Sequence, residues 1–404
     1  MRFRIDRDAF ADAVAWAARG LPTRPAVPVL AGLVLDASVA DDGAPDVLTV
    51  SGFDYETSTK VGIPAEVAEP GRVLVQGKML ADISKSLPAH PLDIATDDNR
   101  LLLTCGPSKF SLTLLPLEDY PEMPSAPPVS GTVSADVFAA AVAQVAIAAG
   151  RDDMLPVLTG IHLEVDGSRL RLLATDRYRL AVRDLEWQST SPELVAAALV
   201  PARVLADAAK AMAHGGTISI CLPASAGADS AGAEAGGVAA SPPAHGGSGL
   251  VGLLGGTPQA PRVTTTRLLD GEYPKVMSLF PADSPISATL PTPRLLESAR
   301  RVALVADRNA PIRLSFEEGS VTLDAGTGEE AQASEVLEAE VEGEAIQVGF
   351  FPSYLLEGLA QLGTPVARFA FTHPSKAVVL TGVSGAGQAQ TDYRYLVMPR
   401  RLPG

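Results

Sequence analysis

Pro28-Val29-Leu30-Ala31-Gly32-Leu33-Val34-Leu35-Asp36 is echoed 128 residues later by Pro156-Val157-Leu158-Thr159-Gly160-Ile161-His162-Leu163-Glu164. A fainter echo is Pro311-Ile312-Arg313-Leu314-Ser315-Phe316-Glu317. Each copy follows a helical stretch, beginning near Phe10, Phe138 and Leu295, and precedes an acidic or glycine turn and another apolar strand. Self-similarity at so long a period makes the chain modular rather than built around one pocket. At 404 residues it exceeds a single core, and three modules of roughly 120 to 150 residues match the usual domain size.

A second echo lies deeper in the modules. Lys78, Asp82 and Lys85 recur 125 residues on as Arg203, Asp207 and Lys210. Spacings of four and seven put these charges on one helical face and leave Leu80, Ile83, Leu205 and Ala209 for the other. A solvated stripe is the ordinary reading of one such helix; recurrence of base, acid, base in two modules points to a shared partner. The third copy, Ser353 to Gln361, keeps only Glu357.

Periodicity predicts the same order of elements in each module. In the first, a helix runs from Asp8 to Arg19, with strands at Leu33 to Leu35, Leu48 to Val50 and Thr57 to Ile63. A helix from Lys78 to Leu87 follows, then strands at Leu101 to Thr104 and Phe110 to Leu114, and a proline cluster from Pro121 to Pro128. Glu272-Tyr273-Pro274 echoes Asp119-Tyr120-Pro121 at the close of the second module. The expected fold is α+β: three tandem domains, 1–128, 129–284 and 285–404, each with two helices packed on antiparallel sheet. Residues 223–261, rich in Gly, Ala, Ser and Pro, read as a flexible insertion dispensable for folding. With only 5% aromatic residues, the cores are expected to be aliphatic.

A net charge of −15, from 47 acids against 32 bases, argues against coating nucleic acid with the whole surface but leaves room for one basic face. Two cysteines, Cys105 and Cys221, make no disulfide framework and suit a reducing cytoplasm. The amino terminus alternates like a strand rather than a signal peptide, and the most apolar stretch, Leu194 to Ala213, is interrupted by Arg203, Asp207 and Lys210, which argues against a membrane span. Gly247-Ser248-Gly249-Leu250-Val251-Gly252 fits GxGxxG but lacks the strand before it and the helix after it that a dinucleotide site requires. The histidines are scattered, acid pairs fall beside turns, and no nucleophile meets a base. No catalytic residue, metal or cofactor is expected.

Three modules, Leu173-Ala174-Thr175-Asp176-Arg177-Tyr178-Arg179-Leu180-Ala181-Val182, and the closing Tyr395-Leu396-Val397-Met398-Pro399-Arg400-Arg401-Leu402 together resemble the bacterial DNA polymerase III beta subunit, the beta sliding clamp, and most of all its actinobacterial members. The resemblance implies a head-to-tail homodimeric ring, with helices lining a hole around duplex DNA and sheets outside. It also implies a cytoplasmic, nucleoid-associated protein. By position it places Arg24, Lys78, Lys85, Arg203 and Lys210 near DNA, and less firmly Arg300 and Arg301, one of which can face the subunit boundary. It puts Phe110, Leu112 and Leu304 at the dimer interface, where ordinary core packing competes as a reading for Phe110. A cleft for short motifs of polymerase, clamp loader and repair proteins maps to Leu158, Thr175, Arg177, Arg179, Leu180, Pro274, Leu279, Phe351, Tyr354, Val397, Met398, Pro399, Arg400 and Arg401.

This chain departs from the family pattern beside that cleft. Arg400 stands where an apolar residue is usual, Phe351 where asparagine is common, and Val276-Met277 where an aromatic and a basic residue are frequent. A ring and a charge at opposite walls narrow a groove. Beside the general replicative clamp there is therefore a second expectation: a specialised clamp that still serves replication but excludes a cyclic-peptide inhibitor, as an antibiotic producer needs.

Overall fold

A computed structural model describes residues 1–402 apart from 23, 26, 41–43, 224–248, 307–309, 327–330 and 385–387. Among the described residues six helices run Arg7–Ala18 (α1), Gly77–Ser86 (α2), Ala135–Ala146 (α3), Ala202–Met212 (α4), Thr292–Ala303 (α5) and Pro352–Gln361 (α6). By packing, the chain forms two compact units, Met1–Ala139 with Trp187–Leu268, and Ala140–Glu186 with Leu269–Gly404. Residues of the central sequence module are thus shared between them.

The first unit is organised by a 14-stranded antiparallel sheet. The opening echo becomes a short 3-10 turn, Pro28–Ala31, running into the strand Gly32–Ser38; its second copy repeats the step as Pro156–Thr159 and Gly160–Asp166. Proline at the first helical position has its backbone angle preset and loses no hydrogen bond there. Helix α1 starts where the Asp6 carboxylate accepts from the Ala9 amide at 2.8 Å, and it buries Phe10, Ala13, Val14, Trp16 and Ala17. In α2 the Gln76 side chain takes the capping role, accepting from Met79 at 2.6 Å. Helices α2 and α4 bury Leu80 and Ser84, and Leu205, Ala208, Ala209 and Met212, which leaves the predicted charged faces outward. A further cluster joins Val29, Val34, Phe53, Leu74 and Tyr120, whose hydroxyl donates to the Phe53 carbonyl at 3.4 Å; burial pushes that phenol up to about 12.

The expected insertion is too broad at its carboxyl end. Leu250–Thr257 and Ala260–Arg267 form a hairpin, the first strand pairing with Thr217–Cys221 and the second with Thr57–Pro64, where Thr57 and Thr266 hydroxyls meet at 2.9 Å. Composition misled because glycine is structural here: a Cβ at Gly252 would come within 2.8 Å of the Ala126 Cβ. Residues 224–248, and with them Gly247 and Ser248 of the GxGxxG match, lie outside the described residues.

In the second unit a run of antiparallel strands proceeds Gly160–Asp166, Arg169–Thr175, Arg179–Glu186, Tyr393–Val397, Val378–Val383, Val366–Phe371, Ile286–Pro291 and Glu340–Glu342. A separate four-stranded sheet orders Ala333–Glu338, Ser320–Ala325, Ile312–Glu317 and Ile346–Phe350. The core here corrects the aliphatic expectation. Phe316, Phe350, Phe369 and Phe371 are fully buried, with ring centroids 5.0 Å apart for Phe316 and Phe371 and 5.5 Å for Phe316 and Phe369. Tilted ring pairs at this range add to area burial. The low aromatic content is an average, and this one core concentrates the rings.

Candidate functional site

The turn Thr175 to Arg179 joins two strands of the second unit and is closed by its own side chains. The Thr175 hydroxyl donates to the Arg179 carbonyl at 2.6 Å and accepts from the Arg177 amide at 3.2 Å. One Asp176 oxygen accepts from the Tyr178 and Arg179 amides, both at 3.0 Å, as Asp does in tight turns. This network holds Arg177 at φ 79°, a left-handed conformation unusual for a residue with a side chain, and leaves Arg177 and Tyr178 exposed.

Arg179 points the other way, and its side chain is only 5% exposed. Its Nε donates to Asp176 at 3.0 Å, its Nη1 donates to Glu357 on α6, and its guanidinium carbon lies 4.4 Å from the centroid of the Tyr354 ring. Burial works against the charge, but the Tyr395 and Glu357 side chains outweigh it and raise the guanidinium pKa above its ordinary value. Burial also raises the Tyr354 phenol, with Asp176 adding to the shift. Helix α6 lies close on Tyr395: a Cβ at Gly358 would overlap that ring, and the Tyr395 hydroxyl donates to the Tyr354 carbonyl at 3.0 Å.

The turn and α6 form walls of a cavity of about 500 Å³, to which Gly150, Arg151, Leu155 and Leu158 also contribute. Of the residues expected at a cleft, Leu158, Arg177, Arg179 and Tyr354 line it. Thr175, Leu180 and Val397 do not; each is buried, Thr175 holding the turn and Val397 pairing with Arg179 in the sheet. Met398 is half-exposed and anchored by its amide to the Tyr178 carbonyl at 2.7 Å. Leu279 and Pro274 are exposed away from the cavity lining, as are Arg400, whose amide donates to Gly349, and Arg401; Pro399 is half-buried. Phe351 occupies the N-cap of α6 with no side-chain capping bond, its ring 5.3 Å from that of Tyr354. Glu357 and Asp176 are the two carboxylates bonded to Arg179 among the lining residues the cleft expectation passed over. The Asp-x-x-Arg spacing in the quoted motif signals Asp176, whereas Glu357 is distant in sequence.

The expected DNA contacts form a different kind of surface. Lys78, Lys85, Arg203 and Lys210 are exposed, as is Arg24, and among the described residues none makes an ion pair. Arg300 is exposed, whereas Arg301 is committed in a two-pronged bond to Glu335, both contacts 2.7 Å. At the expected dimer boundary, Leu304 is 84% exposed and Phe110 36%. Leu112, on the same strand face as Phe110, is 5% exposed within the chain. Among the described residues no cluster of side chains could hold a metal ion, and no helix is long and apolar enough to cross a membrane.

Family comparison covers nearly the whole chain. Residues 1–124 match the DNA polymerase III beta subunit N-terminal domain, 132–275 its central domain and 277–401 its C-terminal domain. The chain is 46% identical over 405 residues to the beta sliding clamp of Streptomyces coelicolor and 41% identical over 403 residues to the beta sliding clamp homolog GriR of Streptomyces muensis, each spanning all of both chains. The fold superposes with TM-score 0.82, at 26% identity and complete coverage of both chains, on a DnaN sliding clamp from Pseudomonas aeruginosa bound to griselimycin.

Proposed function

The chain belongs to the DNA polymerase III beta subunit family, and on that premise we propose that two copies close head to tail into a ring whose helices face duplex DNA. It is a DNA sliding clamp, a non-catalytic processivity factor that encircles the duplex and tethers polymerase. One observation carries the assignment of the inner face: on a chain of net charge −15, Lys78, Lys85, Arg203 and Lys210 stand outward on two helices, four cations against Asp82 and Asp207 on the same faces, and none is held in an ion pair among the described residues. Such cations suit loose phosphate contact, which carries no sequence information and permits sliding, while acidic surface elsewhere repels the duplex. Arg24 and Arg300 join them in this reading.

Two open sheet edges support closure. Ser108–Leu115 pairs on one side with Arg100–Cys105 but on the other only through Leu114 and Leu115, so Lys109 and Phe110 sit on a free edge, with the Arg100 side chain donating to Ser111 next along it. Ala333–Glu338 ends its own sheet and exposes Val336 and Glu338, with Glu335 and Leu304 nearby in the same unit. Free edges are aggregation hazards unless covered, and here a basic apolar edge complements an acidic apolar one. Phe110, Leu304 and Val336 are our interface residues. The cavity beside the Thr175 to Arg179 turn takes the short motifs of polymerase, clamp loader and repair proteins, with Leu279, Pro274, Met398, Pro399, Arg400 and Arg401 as flanking contacts. The protein acts in the cytoplasm, on the nucleoid.

The decisive experiment loads the protein with an ATP-driven clamp loader onto nicked circular DNA and follows it through gel filtration before and after linearisation. Retention on circles and escape from cut ends is expected; equal retention on both would refute encirclement.

A second reading rests on Phe351, whose ring packs on Tyr354 where the expected family residue is asparagine. We propose that this ring narrows the cleft against a cyclic peptide such as griselimycin while polymerase motifs still enter. Competition between a polymerase motif peptide and griselimycin decides it, and normal griselimycin binding rejects it.

A further inference from the structure

We propose that Glu357 is a positioning residue for the peptide cleft: through Arg179 it locks helix α6 to the Thr175 to Arg179 turn and so sets the spacing of the walls that grip a partner motif. The inference rests on the cleft reading above.

Two walls of the cavity belong to segments far apart in sequence, the turn at 175–179 and the first turns of α6 at 353–357. Arg179 spans them. Its Nε is held by Asp176 on its own turn and its Nη1 by Glu357 across the gap. The flat face of the guanidinium rests on Tyr354, one helical turn before Glu357, so the charge grips α6 at two points on one face. Arg179 and Asp176 are largely buried, with side chains 5% and 15% exposed, whereas Glu357 is 35% exposed and reaches the cavity surface.

This asymmetry gives the two carboxylates different work. Asp176 also accepts two backbone amides and is needed to form the turn at all. Glu357 makes no other hydrogen bond among the described residues, so its loss leaves each wall folded but uncouples one from the other. A fork of planar donors suits the task, because it fixes direction as well as distance. With the bond intact, the Tyr354 ring stacks on the cation while its backbone carbonyl accepts from the Tyr395 hydroxyl, and a motif meets a wall already in place. Without it, the spacing of the two folded walls must be set on binding, and affinity falls.

The test measures a fluorescent peptide carrying a polymerase clamp-binding motif against the wild-type protein, Glu357→Gln, Glu357→Asp, Arg179→Met and the Arg179→Met/Glu357→Gln double variant, with thermal unfolding of each. Glu357→Gln keeps size and polarity but removes the charge. It is expected to weaken the peptide about tenfold, the scale of one charge-assisted hydrogen bond, with little change in melting temperature. Glu357→Asp, which keeps the charge on a shorter arm, should fall between. In the double variant the two losses should not multiply, since both break the same contact. Unchanged affinity in Glu357→Gln, or losses that multiply, overturns the proposal and leaves the cleft reading standing. A wild-type protein that fails to bind the peptide takes both down together. Should Glu357→Gln unfold, Glu357→Asp binding as tightly as wild type would equally overturn it.

Discussion

The outward faces of α2 and α4 and the turn at Thr175 to Arg179 both depend on cations, in opposite ways. On the helices Lys78, Lys85, Arg203 and Lys210 stand in water, outside any ion pair among the described residues, interchangeable in chemistry and repeated at an offset of 125 residues. In the turn a single guanidinium is buried, fixed by two carboxylates and stacked on a ring. Exposed charge confers affinity without register, as a sliding contact requires. Buried charge confers register, and a pocket that must recognise a motif requires that instead.

The contrast breaks most visibly at Arg179. Arg179→Met leaves Asp176 and Glu357 facing each other with no cation between them, and should cost about 3 kcal/mol of stability, the scale for breaking a buried pair, together with motif binding. Chemical denaturation would check it, and a cost below about 1 kcal/mol would place this pair with ordinary surface bridges. Neutralising Lys78, Lys85, Arg203 and Lys210 to Ala together should leave stability nearly untouched and flatten the salt dependence of equilibrium affinity for linear duplex by about three to four in log-log slope, roughly one for each phosphate no longer neutralised. An unchanged slope would move the DNA face elsewhere. Smaller still, Phe351→Asn supplies the missing cap of α6 and should stabilise the protein by about 1 kcal/mol while widening the cleft to griselimycin. Smallest is any one of the helix cations: Lys85→Ala should shift the slope by about one and the melting temperature hardly at all.

The legibility of these two regions in the sequence follows the same contrast. Charges on a helix face are spaced by the helix itself, so the period and its recurrence alone expose Lys78 and Arg203. Most of the turn is legible for a similar reason, since Thr175, Asp176 and Arg179 are close neighbours bonding to one another. Glu357 is not: it meets Arg179 across 178 residues, and only the return of the chain through α6 and Tyr393–Val397 brings them together. The Phe316, Phe350, Phe369 and Phe371 cluster is hidden likewise, each ring being unremarkable in its own strand. At Leu250–Thr257 the failure is compositional. Glycines that read as looseness are small because neighbouring side chains need the space.

The hairpin at Leu250–Thr257 also bears on where the chain can be shortened. Thr217–Cys221 and Leu250–Thr257 are bonded neighbours, with Cys221 opposite Gly252. Two chain ends held on adjacent strands can be joined by a connection of almost any length, because closure entropy changes only with the logarithm of that length. Deleting 224–248, unlike the broader 223–261, should therefore spare the sheet, and the gap is a natural socket for a fluorophore or affinity handle.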